Sequence, residues 1–317
     1  MDHDSRKPWL SPREQVACLK GKGIKFDLMS EEDAETYLRE NNNYFRVTSY
    51  RHGFDRVVGG PNNGLYINLD FAMLKDLSIV DFLLRQTFLP MTIDVEHFAK
   101  INLLATLEEH GEDGYQIVEE FLDSKTRIND KGERICPIAD EISRGKQGTY
   151  TSALIDRYED EGYPVWAFLE LIPFGAFNSL WSFCANRFED KRAKSAYYLL
   201  QDVKSLRNAC GHNNCILNDL AAGTAIHQPS YELVRGLRRA GISKEMRQTK
   251  LSNARLEHIA ATLYLHHRLA SKGVCEHTAT NLQKLLDRMY KHADYYEKND
   301  QINTGFRFIK IMVRSWY

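Results

Sequence analysis

Apolar residues recur at intervals of three and four along most of the chain, the spacing that gathers side chains on one face of a helix rather than one side of a strand. The pattern predicts helices over Ser11–Gly21 and Ser30–Asn41, each opening on a serine cap. Ser11 precedes Pro12 and has Glu14 three residues on, and Ser30 has Asp33 at the same offset, so orphan amides at both starts find acceptors. From Phe71 to about His110 the pattern is long and helical, and Pro90 predicts an end or a kink at Leu89. Short helices are expected over Gly111–Phe121 and Thr151–Asp160, and a helical run from Tyr163 to Phe188 is broken by Pro173 and Gly175. Ser195–His212 carries Leu199, Leu200, Val203, Leu206 and Cys210 on one face. Tyr231–Arg239, Asn253–Ser271 and His277–Lys298 read as further helices.

Two segments interrupt this period. Gly59-Gly60-Pro61-Asn62-Asn63-Gly64 is a turn, and the β-branched and aromatic residues flanking it allow a small hairpin near residues 54–70. Asp123–Gln147 is polar with few apolar positions and is predicted to be an exposed loop, a plausible place for regulation. No repeat or low-complexity tract is present. The fold class expected is therefore all-α, organised as an N-terminal helical region over residues 1–60 and a helical domain over 61–317 with a C-terminal helical extension, or as one continuous domain.

Composition narrows the class. With 317 residues, 43% hydrophobic and 11% aromatic, the chain can bury a substantial core and is too rich in Tyr and Phe to be disordered. No window approaches a membrane span, and the start MDHDSRKPW has no apolar leader, so a cytoplasmic protein without membrane partners is expected. Six scattered cysteines with no CxxC pair suit reduced thiols. The net charge of −1 argues against indiscriminate polyanion binding over the whole surface. Its distribution is uneven: 15 Asp and Glu against 7 Lys and Arg over Ile101–Glu161, but 6 against 13 over Asn186–Arg255. This is either a pair of solvated faces or a basic surface suited to phosphates.

Within the basic segment, DVKSLRNACGHNNCILND closes the Ser195–His212 helix with Arg207, Asn208 and His212. Asn208 and His212 are four apart and share a helix face, with Arg207 about 100° round from Asn208. Gly211 lowers helix propensity and is expected to end or fray the helix, freeing His212. Such a set suits RNA transesterification: a histidine can act as base or acid near neutral pH without a metal, and an arginine can hold the scissile phosphate bidentately. A single protomer supplies one histidine here, so a two-fold dimer is the simplest complete site. The rivals are a helix-end cluster satisfied internally and a zinc site using Cys210, His212 and Cys215. The zinc site would need a distant fourth ligand such as Cys275 or His277, and its spacing matches no established pattern.

LRNACGHNNCILN at Leu206–Asn218 resembles the signature of the HEPN superfamily, and specifically of Abi-like (abortive infection) bacterial proteins. KPWLSPREQVACLKGKGIKF together with NNYFRVTSYRHGF at Asn42–Phe54 is similar to the family's N-terminal block, with its Lys-Pro start and its Tyr-x-x-x-x-x-Tyr stretch. YPVWAFLELIPFGAFNSLW at Tyr163–Trp181 is similar to its middle block. Gly211 stands where the family often has alanine, and the usual basic residue after the histidine is replaced around Asn213–Ile216. The resemblance implies a HEPN-type helical bundle with additional N- and C-terminal helices, a homodimer, and metal-independent endoribonuclease activity in phage defence or as a toxin. No cofactor or metal is implied, and RNA is the substrate. Arg207 and His212 take the catalytic roles and Asn208 the supporting one, with Glu170 as the acidic partner that orients Arg207, or else one half of a buried ion pair. A regulatory RNA or an antitoxin is an expected partner. The alternative is a non-catalytic RNA- or partner-binding HEPN protein that keeps the motif as a phosphate clamp.

Overall fold

A computed structural model describes residues 8–317; Lys7 of the Lys-Pro start and the rest of the N-terminal segment lie outside the described residues. The first two helices form where the caps predict them. α1 (Pro12–Lys20) closes a reciprocal Ser11–Glu14 capping box, and α2 (Glu31–Glu40) starts on Ser30, whose hydroxyl oxygen accepts the Asp33 amide. The segment after them is helical: α3 (Tyr44–Ser49) runs into a 3-10 turn over Tyr50–Gly53. Residues 54–70 then form a loop held by one antiparallel bridge, Arg56 to Tyr66, without strands.

α4 (Phe71–Glu109) continues through Pro90 and does not end at Leu89, one of the two outcomes the proline allowed. The ring lies on the exposed side, while Leu84, Phe88, Met91, Val95 and Ala99 are buried on either side of it. Fully burying each large apolar side chain is worth about 1.5–3 kcal/mol, so together they outweigh the roughly 3 kcal/mol penalty of an interior proline. Pro90→Ala restores the missing amide and is expected to stabilise the protein by about 1–3 kcal/mol in urea unfolding. An unchanged or lower midpoint would show that α4 is already relaxed around the ring.

α5 (Gln116–Lys125) is followed by the only sheet among the described residues, β1 (Arg127–Ile128) paired antiparallel with β2 (Arg134–Ile135), and by α6 (Pro137–Arg144). The stretch read as a polar loop is thus a hairpin and a helix anchored by one buried residue, Ile142. α7 (Ser152–Tyr158), α8 (Val165–Leu171) and α9 (Phe174–Arg187) come next, the last two separated at Ile172–Pro173 as the proline predicts. α10 (Lys191–Gly211) is capped by Asp190 and buries Leu199, Leu200, Val203, Leu206 and Cys210, the face read from spacing.

Five helices complete the chain: α11 (Tyr231–Arg239), α12 (Lys244–Leu251), α13 (Ala254–Leu269), α14 (Lys272–Tyr290) and α15 (Asp300–Trp316). The architecture is all-α, and α10 lies at its centre against α4, α9 and α13. α9 is pinned to it by two hydrogen bonds, from Asn178 Nδ2 to the Leu200 carbonyl (3.1 Å) and from Trp181 Nε1 to the Ala193 carbonyl (2.9 Å). One contiguous cluster of buried side chains runs from Val16 to Val313, so helices far apart in sequence hold α10 rigidly. No helix among the described residues is long and apolar enough to cross a membrane.

Candidate functional site at the end of α10

α10 ends at Gly211, but glycine is not what ends it. His212 is the C-cap, and the next residue, Asn213, takes the left-handed conformation with φ 56°. The Asn214 amide then donates to the Ala209 carbonyl (2.8 Å) and the Asn213 amide to the Cys210 carbonyl (3.1 Å). These are the two bonds of a Schellman terminator, with asparagine in the place more often given to glycine. Gly211 itself keeps helical geometry.

The terminator fixes three side chains in space. Arg207 is half-buried, Asn208 and His212 are exposed, and Arg207 Nη1 lies 3.5 Å from Asn208 Oδ1. Among the described residues neither Arg207 nor His212 forms an ion pair, and the His212 ring has no hydrogen-bond partner. A cluster that existed only to finish the helix would be satisfied internally. This one presents its donors to solvent.

Glu170, singled out as the residue that orients Arg207, forms no ion pair with it. Its carboxylate is exposed on α8, a helix that packs against α4 and α5, and the break at Pro173 separates it from α9, which packs on α10. It is not one half of a buried ion pair either. Cys210 is buried on the core face, and burial pushes its thiol up to about 12. Cys215 approaches the Tyr50 hydroxyl instead. Among the described residues no group of three His, Cys, Asp or Glu side chains is arranged to hold a metal.

What holds the loop after His212 was not read from the sequence. Asp81, fully buried on α4, accepts the amides of Ile216 (2.9 Å) and Leu217 (2.8 Å) on one oxygen and the Tyr50 hydroxyl (2.8 Å) on the other. It also pairs with buried Arg85 one turn along, whose guanidinium reaches the Asn214 carbonyl at 3.1 Å. Burial pushes the Asp81 carboxyl up, against the pull of Arg85, the tyrosine and the two amides. From the outer side, Arg46 on α3 donates to both the side chain and the backbone carbonyl of Asn213. The signal was present: Asp81 and Arg85 are an i, i+4 charged pair and the only charges between Leu77 and Leu89, and Tyr50 closes the Tyr-x-x-x-x-x-Tyr stretch.

Fold and site together define an all-α protein that carries an Arg-Asn-x-x-x-His cluster on a clamped helix terminus. A family model for Abi-like proteins matches residues 37–218, from α2 to the end of the clamped loop. That is more than half of the chain, and the chain belongs to the Abi-like family. The matched span includes Tyr50, Asp81, Arg85, Glu170, Arg207 and His212; the family-like block at residues 7–26 and helices α11–α15 fall outside it. No curated protein and no solved structure matches.

Proposed function

We infer that the protein is a metal-independent endoribonuclease of the HEPN type that acts in abortive infection or as a growth-arresting toxin. One observation carries this reading: a guanidinium, an amide and an imidazole reach solvent from a helix end that buried groups on two other helices hold in place, and among the described residues no carboxylate neutralises the arginine. Arg207 binds the scissile phosphate and stabilises the charge that grows on its oxygens. A base takes the proton of the 2′-hydroxyl, the 2′-oxygen bonds to phosphorus, the bond to the 5′-oxygen breaks, and an acid protonates that oxygen. His212 plays one of these roles, and His212 of a second copy plays the other across a two-fold axis. Asn208, beside Arg207, takes a phosphate oxygen or the imidazole. Phe45, 85% exposed next to the Arg46 that grips Asn213, offers a face on which an unstacked base can lie.

The test is cleavage of RNA by purified protein in EDTA, with the ends mapped. Wild type is expected to yield 2′,3′-cyclic phosphate and 5′-hydroxyl termini and to leave DNA intact. His212→Ala is expected to lose about 10²–10⁴-fold in rate, the usual contribution of a positioned acid or base. Cleavage that survives in His212→Ala, or that needs a divalent metal, refutes the reading. If Arg207→Ala weakens RNA binding while wild type cuts no RNA offered, the protein is a phosphate clamp instead. Induction in a bacterial host should arrest growth with wild type and not with His212→Ala.

A further inference from the structure

At the other end of α10 from His212, helices α4, α9, α10, α11 and α13 enclose a cleft of about 460 Å³. That is within the range of sites for small organic ligands, about 300–1,000 Å³. Its floor is apolar, formed by Leu103, Leu199, Leu200 and Leu265 beside Trp181. Its rim is basic: Arg192 from α10, Arg235 and Arg239 from α11, and Arg268 from α13 all line it.

Among the described residues none of these four guanidiniums pairs with a carboxylate, and only Arg268 has a side-chain partner, donating to the Tyr264 hydroxyl (3.4 Å). The arginines that pair with carboxylates among the described residues are Arg85, Arg134, Arg187, Arg255 and Arg288, none of the four. Two carboxylates do line the cleft, Asp190 and Glu232. Asp190 is occupied as the α10 cap, accepting the amides of Arg192 (2.7 Å) and Ala193 (3.2 Å), and Glu232 faces the Tyr264 hydroxyl at 3.5 Å. Four guanidiniums against two engaged carboxylates leave an excess of positive charge, and a concave apolar floor concentrates its field. Guanidinium forks match phosphate oxygens.

The floor limits what else the ligand carries. A phosphate alone would leave the apolar base wet, so an apolar or aromatic body must follow it inward. Asn102 and Thr106 lie on the α4 edge of the cleft; the Thr106 hydroxyl is turned back to the Asn102 carbonyl (2.9 Å), while the solvent-exposed Asn102 side-chain amide has no protein hydrogen-bond partner among the described residues. A free amide offers one donor face and one acceptor face, the complement of a nucleobase edge. We propose that this cleft binds a nucleoside phosphate, with the phosphates on Arg192, Arg235, Arg239 and Arg268 and the base on the apolar floor against Asn102.

The site stands apart from the proposed nuclease centre. Arg192 and Arg207 are 15 residues apart on one helix, roughly 22 Å at about 1.5 Å per residue. Isothermal titration of the full chain with ATP, GTP, AMP, adenosine and inorganic phosphate, in about 150 mM salt to screen loose association, tests it. At least one nucleotide is expected to bind with a dissociation constant below about 1 mM, with adenosine and phosphate at least about tenfold weaker, since each supplies only one half of the contacts. Arg235→Gln/Arg239→Gln is expected to weaken the nucleotide about tenfold or more without changing the melting temperature of the free protein. Asn102→Ala should weaken the nucleotide and leave tripolyphosphate binding unchanged. His212→Ala should bind the nucleotide as wild type does, so that loss of nuclease activity and loss of this site are read separately. No nucleotide binding, or equal binding by the arginine double variant, overturns the proposal. It is equally overturned if the variant loses only RNA binding, which would make the arginines a substrate track.

Discussion

Asp81→Ala is expected to destabilise the protein by about 3–5 kcal/mol, the typical loss when one member of a buried ion pair is removed. The substitution leaves Arg85, only 6% exposed and always charged, without its counter-ion. It also orphans three donors at once: the Ile216 and Leu217 amides and the Tyr50 hydroxyl. Each unpaired buried donor costs about 1–3 kcal/mol unless the loop rearranges to reach water. Rearrangement is the consequence that matters for function, because these bonds fix the residues that follow His212. Hydrogen exchange at Asn213–Asn218 should therefore accelerate more than exchange in α13, and RNA cleavage should fall although Asp81 touches no substrate. Asp81→Leu/Arg85→Met, which removes both charges, should recover much of the stability. A loss below about 1 kcal/mol for Asp81→Ala in urea unfolding would mean that the clamp does not hold the site.

Stability is also expected to fall by about 2 kcal/mol between pH 6.5 and 8, because burial pushes Asp202 to about 7 and Glu257 to about 8. Asp202 on α10 and Glu257 on α13 lie in the seam between those helices; burial raises both, and the Asp202 charge raises Glu257 further. The native state keeps protons that the unfolded chain gives up near pH 4, so their stabilising effect is complete at low pH and is lost as pH rises through the native values. His258, 3.8 Å from Asp202, works in the opposite sense lower down. Burial, with Arg255 nearby, lowers it to about 4, so its contribution is lost as pH falls below the ordinary histidine value. Above pH 6.5 the unfolded chain still gives up the last half-proton of each such histidine, which returns only a few tenths of a kcal/mol for His258, so the two acids set the sign of the change. Asp202→Asn/Glu257→Gln should flatten the decline in thermal denaturation midpoints measured from pH 6.5 to 8. A wild-type midpoint that is constant or rising over that range contradicts this account.

The capping box at Ser11 and Glu14, the break at Pro173 and the buried face of α10 were all legible, because each depends on residues within one or two helical turns. Arg207, Asn208 and His212 were legible as a group for the same reason. A freed His212 was expected as well, but through Gly211, whereas Asn213 is the residue that ends the helix. That α4 does not end at Pro90 was not legible, because the proline's penalty is local whereas the burial that outweighs it comes from helices packed on α4. The hairpin and helix within Asp123–Gln147 were missed because short elements with one buried anchor leave almost no period to detect. Glu170 was placed near Arg207 by resemblance alone, and spacing along α8 could not reveal that the helix faces α4 and α5.

What the sequence by itself determined, then, is the set of helices, the apolar face of α10 and the residues that crowd its end, since helical periodicity and capping are written in neighbouring positions. What only the tertiary structure decided is whether that crowd is held still and left open to solvent. Asp81 lies 135 positions from Ile216 and 31 from Tyr50, and nothing local to any of them states that one carboxylate will bind both. A buried carboxylate is stable only when the completed fold delivers enough donors to it. The folding of α3 and α4 around Asn213–Leu217 is what turns a polar helix end into a site.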